Sequence, residues 1–335
     1  MDDPLGGVRW IHGSPPGGPA DPLVQVLAVD DATFILRQGK DVNYEAPFLY
    51  LLCGEDRAVL FDTGAVAEGG GARETVDGLL SERGPDYGLV VAHTHGHGDH
   101  VAGDGQFAAR PRTVVVPHDV AAVREFFGFA SWPEEVVTFD LGGRALRVTG
   151  SPGHHDAAIT VHDPRTGFLL TGDTVYPGRL YVSDMPAFVA SLDRMAEFAA
   201  AHPVTHVLGC HIEMTRRRGR DYPLGCLYQP DEPPLQMTVA RLGAVRDAAH
   251  AVADRPGAHG FGDFVIYNGP CERAMARQKV RGAISRARRR AMMILKPAHI
   301  SVSQGLISWC GRDNDVRHRV ERSVSVRWPG LRRVR

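Results

Sequence analysis

Thr94-His95-Gly96-His97-Gly98-Asp99-His100 carries the strongest chemical signal in this 335-residue chain. Four side chains that can bind a metal fall within six positions, interleaved with glycine. Glycine lets the backbone turn tightly, so residues two apart can face one centre. Imidazole and carboxylate groups together suit zinc and other divalent transition metals. The stretch therefore predicts a metal site in which His95 and His97 chelate one ion, while Asp99 and His100 serve a second.

Short apolar runs of strand length surround this stretch and end near polar residues. The predicted strands are Phe48–Leu52, Ala58–Phe61, Leu89–Ala92, Thr113–Val116, Ala145–Val148, Phe168–Leu170 and Thr205–Leu208. Asp62, His93, Asp173 and His211 follow four of these runs. Loops at one edge of a sheet are where α/β proteins usually build their sites. We therefore expect several of these side chains to meet, although His93 itself is expected to be a buried, hydrogen-bonded core histidine.

Helical patterns lie between the predicted strands. Apolar residues recur at helical spacing most clearly in Pro186–Ala201. The other predicted helices are Arg73–Ser81, Val120–Phe127 and Leu235–Ala253, the last preceded by two prolines. Strands that alternate with helices indicate a layered α/β fold.

The sequence resembles the metallo-β-lactamase-fold hydrolases, whose signature is H-x-H-x-D-H. Four further stretches match motifs of that family in the family's order. They are Phe61-Asp62-Thr63-Gly64, Ser151-Pro152-Gly153-His154, Leu170-Thr171-Gly172-Asp173-Thr174 and Gly209-Cys210-His211. The resemblance implies an αββα four-layer sandwich with a metal site at one edge, between two sheets.

The resemblance also implies a dinuclear centre. The ligands it implies are His95, His97 and His154 for one ion, and Asp99, His100 and His211 for the other. Asp173 would bridge the two ions, and Asp62 would accept hydrogen bonds that orient the ligand loop. Zinc is the expected metal, with iron and manganese as alternatives, because ligand identity alone does not choose among them.

The implied chemistry is hydrolysis of an acyl compound. Two divalent ions lower the pKa of a shared water, and the resulting bridging hydroxide attacks an acyl carbon. Asp99 would orient this nucleophile and help to move a proton to the leaving group. Tyr176 lies three residues after Asp173, where lactonases of the superfamily place a tyrosine that donates to the substrate carbonyl. The alternative for Tyr176 is an ordinary packed aromatic residue.

The predicted substrate is a small thioester, lactone or carboxylic ester, similar to the substrates of hydroxyacylglutathione hydrolases and lactonases. One alternative is a β-lactamase-type amide hydrolase. True β-lactamases of this fold lack the bridging aspartate, and Asp173 stands in a good match to that motif. A second alternative is a non-catalytic member of the fold that binds a ligand. Such proteins typically lose metal ligands, whereas all seven positions are filled here.

The charge distribution divides the chain. Residues 1–270 contain 21 basic and 35 acidic residues, whereas residues 271–335 contain 17 basic and 4 acidic residues. Together with the Gly- and Pro-rich start, this predicts a flexible arm over residues 1–22, a hydrolase domain over 23–268 and a basic extension over 269–335. The extension is interpreted as a disordered tail with a possible helix over Glu272–Leu295. The alternative is a nucleic-acid-binding arm that uses its arginines with Trp309 and Trp328.

The sequence also carries information about the cellular location of the protein. No run approaches the ~18 consecutive apolar residues that a membrane span needs. The acidic start, Met1-Asp2-Asp3-Pro4, lacks the pattern of a signal peptide. Five scattered cysteines without a C-x-x-C pair argue against a disulfide scaffold. A cytoplasmic protein with no membrane partner is therefore predicted.

Overall fold

The computed structural model describes residues 4–84 and 86–295. The described strands are Val24–Ala28 (β1), Thr33–Gln38 (β2), Phe48–Cys53 (β3), Arg57–Phe61 (β4), Gly88–Ala92 (β5), Thr113–Val115 (β6), Val136–Asp140 (β7), Ala145–Gly150 (β8), Ile159–Asp163 (β9), Phe168–Gly172 (β10), Arg179–Val182 (β11), His206–Gly209 (β12), Gln236–Met237 (β13), Gly257–Gly260 (β14) and Val265–Asn268 (β15). The described α-helices are Ala72–Leu80 (α1), Gly98–Val101 (α2), Asp104–Ala108 (α3), Val120–Phe127 (α4), Met185–Ala201 (α5), Val239–Val252 (α6) and Glu272–Leu295 (α7).

The described strands form two six-stranded sheets and one three-stranded sheet. The first sheet has the order β1-β2-β3-β4-β5-β6, the second β13-β12-β10-β9-β8-β7 and the third β11-β15-β14. Antiparallel pairs predominate, but β4, β5 and β6 pair in parallel, as do β10 with β12 and β11 with β15. The strands β4, β5, β10 and β12 are each followed by one of the predicted motifs, whereas the motif that contains His154 follows β8, which pairs only with antiparallel neighbours.

Alternation along the strands explains the layers. In β3, Tyr50 faces the core between the two large sheets, while Leu51 faces a separate core that contains Val76 of α1. In β10, Leu170 lies in the same inter-sheet core, while Leu169 packs with residues of α5 and α6. Successive side chains of a strand point to opposite faces, so strands buried on both faces read as continuous apolar runs. Helix, sheet, sheet and helix therefore stack as the predicted αββα sandwich.

The predicted start of α6 differs from the structure. The apolar pattern extends back to Leu235, but the helix begins at Val239, where the side chain of Thr238 accepts a hydrogen bond from the backbone N–H of Arg241. The residues before this N-cap, Gln236–Met237, form β13 and pair with β12. Pairing with a neighbouring strand thus takes these residues out of the helix.

Both ends of the described chain pack on the central domain. Within the predicted flexible arm, Leu5 and Trp10 are buried in the inter-sheet core, and the Trp10 ring lies edge-on to Phe48. Leu5 and Trp10 therefore attach this part of the chain to the core between the sheets. At the other end, Arg281 of α7 forms an ion pair with Asp221 at 2.7 Å. The domain boundaries themselves remain predictions, and Trp309 and Trp328 lie outside the described residues.

No helix among the described residues is long and apolar enough to cross a bilayer.

Candidate metal centre

Four separate segments bring the predicted ligands to one edge of the sandwich. His95 and His97 follow β5, whereas Asp99 and His100 lie in the short helix α2. The remaining predicted ligands follow strands of the second sheet: His154 comes after β8, Asp173 after β10 and His211 after β12. The structure therefore brings all seven predicted side chains together between the two sheets.

The first group is a cluster of three imidazoles. Nδ1 of His97 lies 3.0 Å from Nε2 of His95 and 2.9 Å from Nε2 of His154. These three nitrogens meet at the distances expected of ligands around one small cation, which binds imidazole nitrogen at about 2.0–2.1 Å when it is zinc. His95 and His154 are buried, whereas His97 is exposed.

The second group combines a carboxylate with two imidazoles. Oδ2 of Asp99 lies 3.4 Å from Nε2 of His100 and 3.2 Å from Nε2 of His211. The two Nε2 atoms are 3.2 Å apart. A carboxylate and two imidazoles form a typical donor set for a divalent transition metal.

Asp173 lies between the two groups. Its Oδ2 is 3.7 Å from Nε2 of His100, 3.5 Å from Nε2 of His211 and 3.9 Å from Nε2 of His154. Its Oδ1 is buried and has no hydrogen-bond partner among the described residues. Burying a carboxylate oxygen without a hydrogen-bond partner destabilises the folded protein. A metal ligand at this position therefore explains Oδ1 better than a purely structural role does.

Hydrogen bonds fix which nitrogen of each histidine faces the centre. Nδ1 of His100 donates to Oδ2 of Asp62 at 2.9 Å, Nδ1 of His154 donates to the carbonyl of Tyr181 at 2.6 Å, and Nδ1 of His211 donates to the carbonyl of Glu45 at 3.2 Å. Each of these histidines therefore keeps the lone pair of Nε2 for the centre. Metal-binding histidines are typically oriented in this way by their second nitrogen, and the donor set fits divalent cations.

Asp62 holds the ligand loop, residues 94–100, in place through hydrogen bonds. It has a positive φ of 70° at the end of β4. Its Oδ1 accepts the backbone N–H of Thr94 at 2.7 Å, and its Oδ2 accepts the Thr94 hydroxyl at 2.8 Å. Because the same carboxylate also accepts from His100, it joins both ends of the predicted metal-binding stretch.

The electrostatics of the centre favour a bound cation. Burial lowers the pKa of His95, and so do the neighbouring imidazoles. Burial would also lower the pKa of His211, but Asp173 and Asp99 outweigh it and raise that pKa to about 9. Burial raises the pKa of Asp99, yet hydrogen bonds from His100 and His211 hold it far below its usual value. The carboxylates thus attract positive charge, which either a proton or a metal ion can supply.

Tyr176 is packed against this centre but its hydroxyl points away from it. The ring lies 5.7 Å from that of His211, centroid to centroid. The hydroxyl donates to the carbonyl of Arg179 at 2.5 Å and lies 3.1 Å from Oε2 of Glu213. Arg179 is buried and forms ion pairs with Glu213 and with Asp221. This arrangement supports the packed-aromatic alternative for Tyr176.

A cavity of about 340 Å³ opens beside the first group. Its lining includes His97, His154, Tyr181, Tyr267, Cys271 and Met275. Cys271 and Met275 come from the start of the basic C-terminal segment, which sequence reasoning separated from the hydrolase domain. The change from acidic to basic composition near residue 270 gave no sign of this contact. The basic residues lie on the exposed face of α7, whereas the contact with the cavity is made by its packed face.

Comparisons with known proteins agree with this architecture. Residues 45–204 match the family model described as the metallo-beta-lactamase superfamily. A hydroxyacylglutathione hydrolase of Synechococcus sp. (strain JA-3-3Ab) is 28% identical over 204 residues, which cover 60% of this chain and 76% of the relative. An acyl-coenzyme A thioesterase of Gallus gallus is 33% identical over 85 residues, which cover 24% of this chain and 31% of the relative.

A metallo-beta-lactamase from Pontibacter korlensis has a TM-score of 0.48 and 16% sequence identity, covering 68% of this chain and 99% of that chain. The match of residues 45–204, with its layered sheets and its motifs in order, establishes that the chain contains a metallo-beta-lactamase superfamily domain.

Proposed function

We propose that this protein is a metal-dependent hydrolase of small acyl compounds, with thioesters as the preferred class. The observation that carries the proposal is the position of Asp173, whose Oδ2 lies within 3.9 Å of Nε2 atoms from both ligand groups. Such a carboxylate suits a centre of two cations. The relatives named as a hydroxyacylglutathione hydrolase and an acyl-coenzyme A thioesterase both carry thioester chemistry in their names.

His95, His97 and His154 would hold one cation, Asp99, His100 and His211 the other, and Asp173 would contact both. When bound, divalent cations would lower the pKa of water and neutralise negative charge that develops on an acyl oxygen. Zinc is the metal we propose, since imidazole and carboxylate are among its usual ligands.

Side chains of the protein would move a proton during the reaction and form the wall against which the substrate packs. Asp99 is partly exposed beside His97, so its carboxylate is placed to accept a proton from water and to pass it to the leaving group. Tyr181, Tyr267 and Met275 give the adjoining cavity an apolar wall on which an acyl chain can pack.

The test is metal analysis of the purified chain followed by a hydrolysis screen with the zinc-loaded protein. The panel would contain a glutathione thioester, an acyl-coenzyme A, a lactone, a simple ester and a cephalosporin. We expect thioester turnover to exceed the others, and we expect His154→Ala to abolish it. His259→Ala, which changes a partly exposed histidine of β14 away from the candidate centre, is the matched control. Cephalosporin turnover well above all other substrates would overturn the proposal, and so would full thioester turnover by His154→Ala.

A further inference from the structure

A second group of metal-binding side chains lies beside the candidate metal centre. It consists of His93, Asp104 and His118, whose ligand atoms all lie within 4.8 Å of one another. His93 follows β5, Asp104 is the first residue of α3, and His118 comes shortly after β6. None of the three is among the predicted ligands of the dinuclear centre.

His93 is the buried member of this group. Its side chain is 1% exposed, and its Nε2 lies 3.2 Å from Oδ2 of Asp104. That approach lacks the geometry of a hydrogen bond, so both ring nitrogens are without a hydrogen-bond partner among the described residues. Leaving a buried polar atom unsatisfied is unfavourable, which is the observation that calls for a ligand at this point.

Asp104 is oriented to serve as a second ligand. Its Oδ1 accepts a hydrogen bond from the hydroxyl of Thr63 at 2.8 Å. Its Oδ2 is therefore the oxygen turned towards His93. Because the hydroxyl of Thr63 fixes one end of the carboxylate, little side-chain entropy remains to be lost when the other end binds a cation.

His118 closes the group from the solvent side. Its ring lies edge-to-face with that of His93, with centroids 5.9 Å apart. A Cβ atom at Gly96 would lie 2.8 Å from Cδ2 of His118, so the ring packs directly against the ligand loop. His118 is exposed, which gives a cation a route from solvent to His93 and Asp104.

We propose that His93, Asp104 and His118 form an accessory site for one divalent cation, best matched by zinc. Two imidazoles and one carboxylate are a known protein donor set for zinc, with the fourth position left to water. Since His118 is exposed and three protein ligands are present, this cation would bind more weakly than those of the buried centre. Because His118 packs against Gly96, the bound cation would lie next to the loop that carries His95 and would restrain that segment.

The experiment measures zinc bound to the full chain by equilibrium dialysis at increasing free zinc, with metal analysis of the protein. We expect His118→Ala to bind one equivalent less than the wild type at saturation. The matched control is His155→Ala, because the half-buried His155 also borders Gly96 but does not belong to the group. It should keep the wild-type stoichiometry.

A loss of one equivalent in His118→Ala alone supports the site. Equal stoichiometry in His118→Ala and wild type would overturn it, and so would an equal loss in both variants, which would point to a disturbed ligand loop. Because the readout is a difference of one equivalent, it does not depend on how many ions the dinuclear centre holds or on the hydrolase proposal. Anomalous scattering at the zinc edge from crystals of the wild type gives a second readout. A peak between His93 and Asp104 is expected, and its absence at saturating zinc would contradict the proposal.

Discussion

His100 and Asp62 form a fully buried pair in which Nδ1 of the histidine lies 2.9 Å from Oδ2 of the aspartate. The carboxylate accepts, so the proton stays on Nδ1 and the lone pair of Nε2 faces Asp99 and His211. Asp62 also accepts hydrogen bonds from the backbone N–H and the hydroxyl of Thr94 and from Sγ of Cys210. The conformation of the ligand loop and the tautomer of one of its histidines therefore depend on a residue that is not itself a predicted ligand.

We expect Asp62→Asn to lower zinc affinity and kcat/KM by about 10- to 100-fold, as is usual when a partner of a metal-binding histidine is lost. An amide can accept at only one of its two ends, so either Thr94 or His100 loses its acceptor. Competition with a chelator measures the affinity. Asp254→Asn changes an exposed aspartate just after the end of α6 and serves as the control. Wild-type affinity in Asp62→Asn would show that the pair does not orient the loop.

Direct removal of a ligand should have a larger effect. We expect Asp99→Ala and His154→Ala to abolish turnover while the circular dichroism spectrum stays that of the wild type, because both side chains project from loops or a single helical turn at the edge of the sheets. Treatment of the wild type with a chelator should reproduce the loss, and added zinc should reverse it. Full activity in either variant would contradict the ligand assignment.

Tyr176→Phe separates the two roles considered for this residue. The hydroxyl is committed to Arg179 and Glu213, so we expect the variant to lose about 1–3 kcal/mol of stability while kcat stays within a few-fold of the wild type. Thermal unfolding and steady-state kinetics measure the two effects. A large fall in kcat with an unchanged Tm would instead favour the lactonase-like role.

The predicted ligands could be picked out in the sequence because each belongs to a short motif that closely follows an apolar strand. His154 illustrates the limit. Its motif was evident, but the carbonyl of Tyr181 that orients its ring comes from β11, a strand too short to stand out in the sequence. The strand Gly257–Gly260 was also missed, because its sequence has no apolar alternation and only pairing with β15 defines it.

A buried ion pair fastens the two large sheets to one another. Arg144 contacts Asp163 of β9 at 2.6 Å, and it donates to the carbonyl groups of Ala32 and Cys53 on the first sheet. We expect Arg144→Leu to destabilise the fold by about 3–5 kcal/mol, since it leaves an uncompensated buried carboxylate. Chemical denaturation measures this change. The exposed Arg112–Asp86 pair provides the control, and Arg112→Leu should cost at most about 1 kcal/mol.

The same pair predicts a dependence of stability on pH. Burial raises the pKa of Asp163, but the hydrogen bonds from Arg144 outweigh it and leave the pKa below its usual value. A carboxyl group whose pKa is lowered by folding stabilises the protein above its unfolded-state pKa, and this contribution is lost as pH falls through the folded-state value. Denaturation midpoints should therefore fall more steeply in acid for the wild type than for Arg144→Leu. Parallel pH profiles would argue against the assignment.

The first turns of α7 make the basic segment part of the candidate active site. Cys271 and Met275 line the cavity beside His97 and His154, and Arg281 anchors the helix to Asp221 further along. Truncation after residue 271 should therefore raise KM for an acyl substrate and lower Tm, because the cavity loses one wall and Asp221 loses one of its two arginine partners, keeping only Arg179. Truncation after residue 295 keeps this helix and is expected to leave KM unchanged.

Met275→Ala removes part of the cavity wall but keeps the ion pair between Arg281 and Asp221. It should therefore raise KM with a smaller effect on Tm. If both truncations had the same KM as the full chain, the helix would have no part in substrate binding, and the predicted boundary at residue 268 would mark the end of the functional domain.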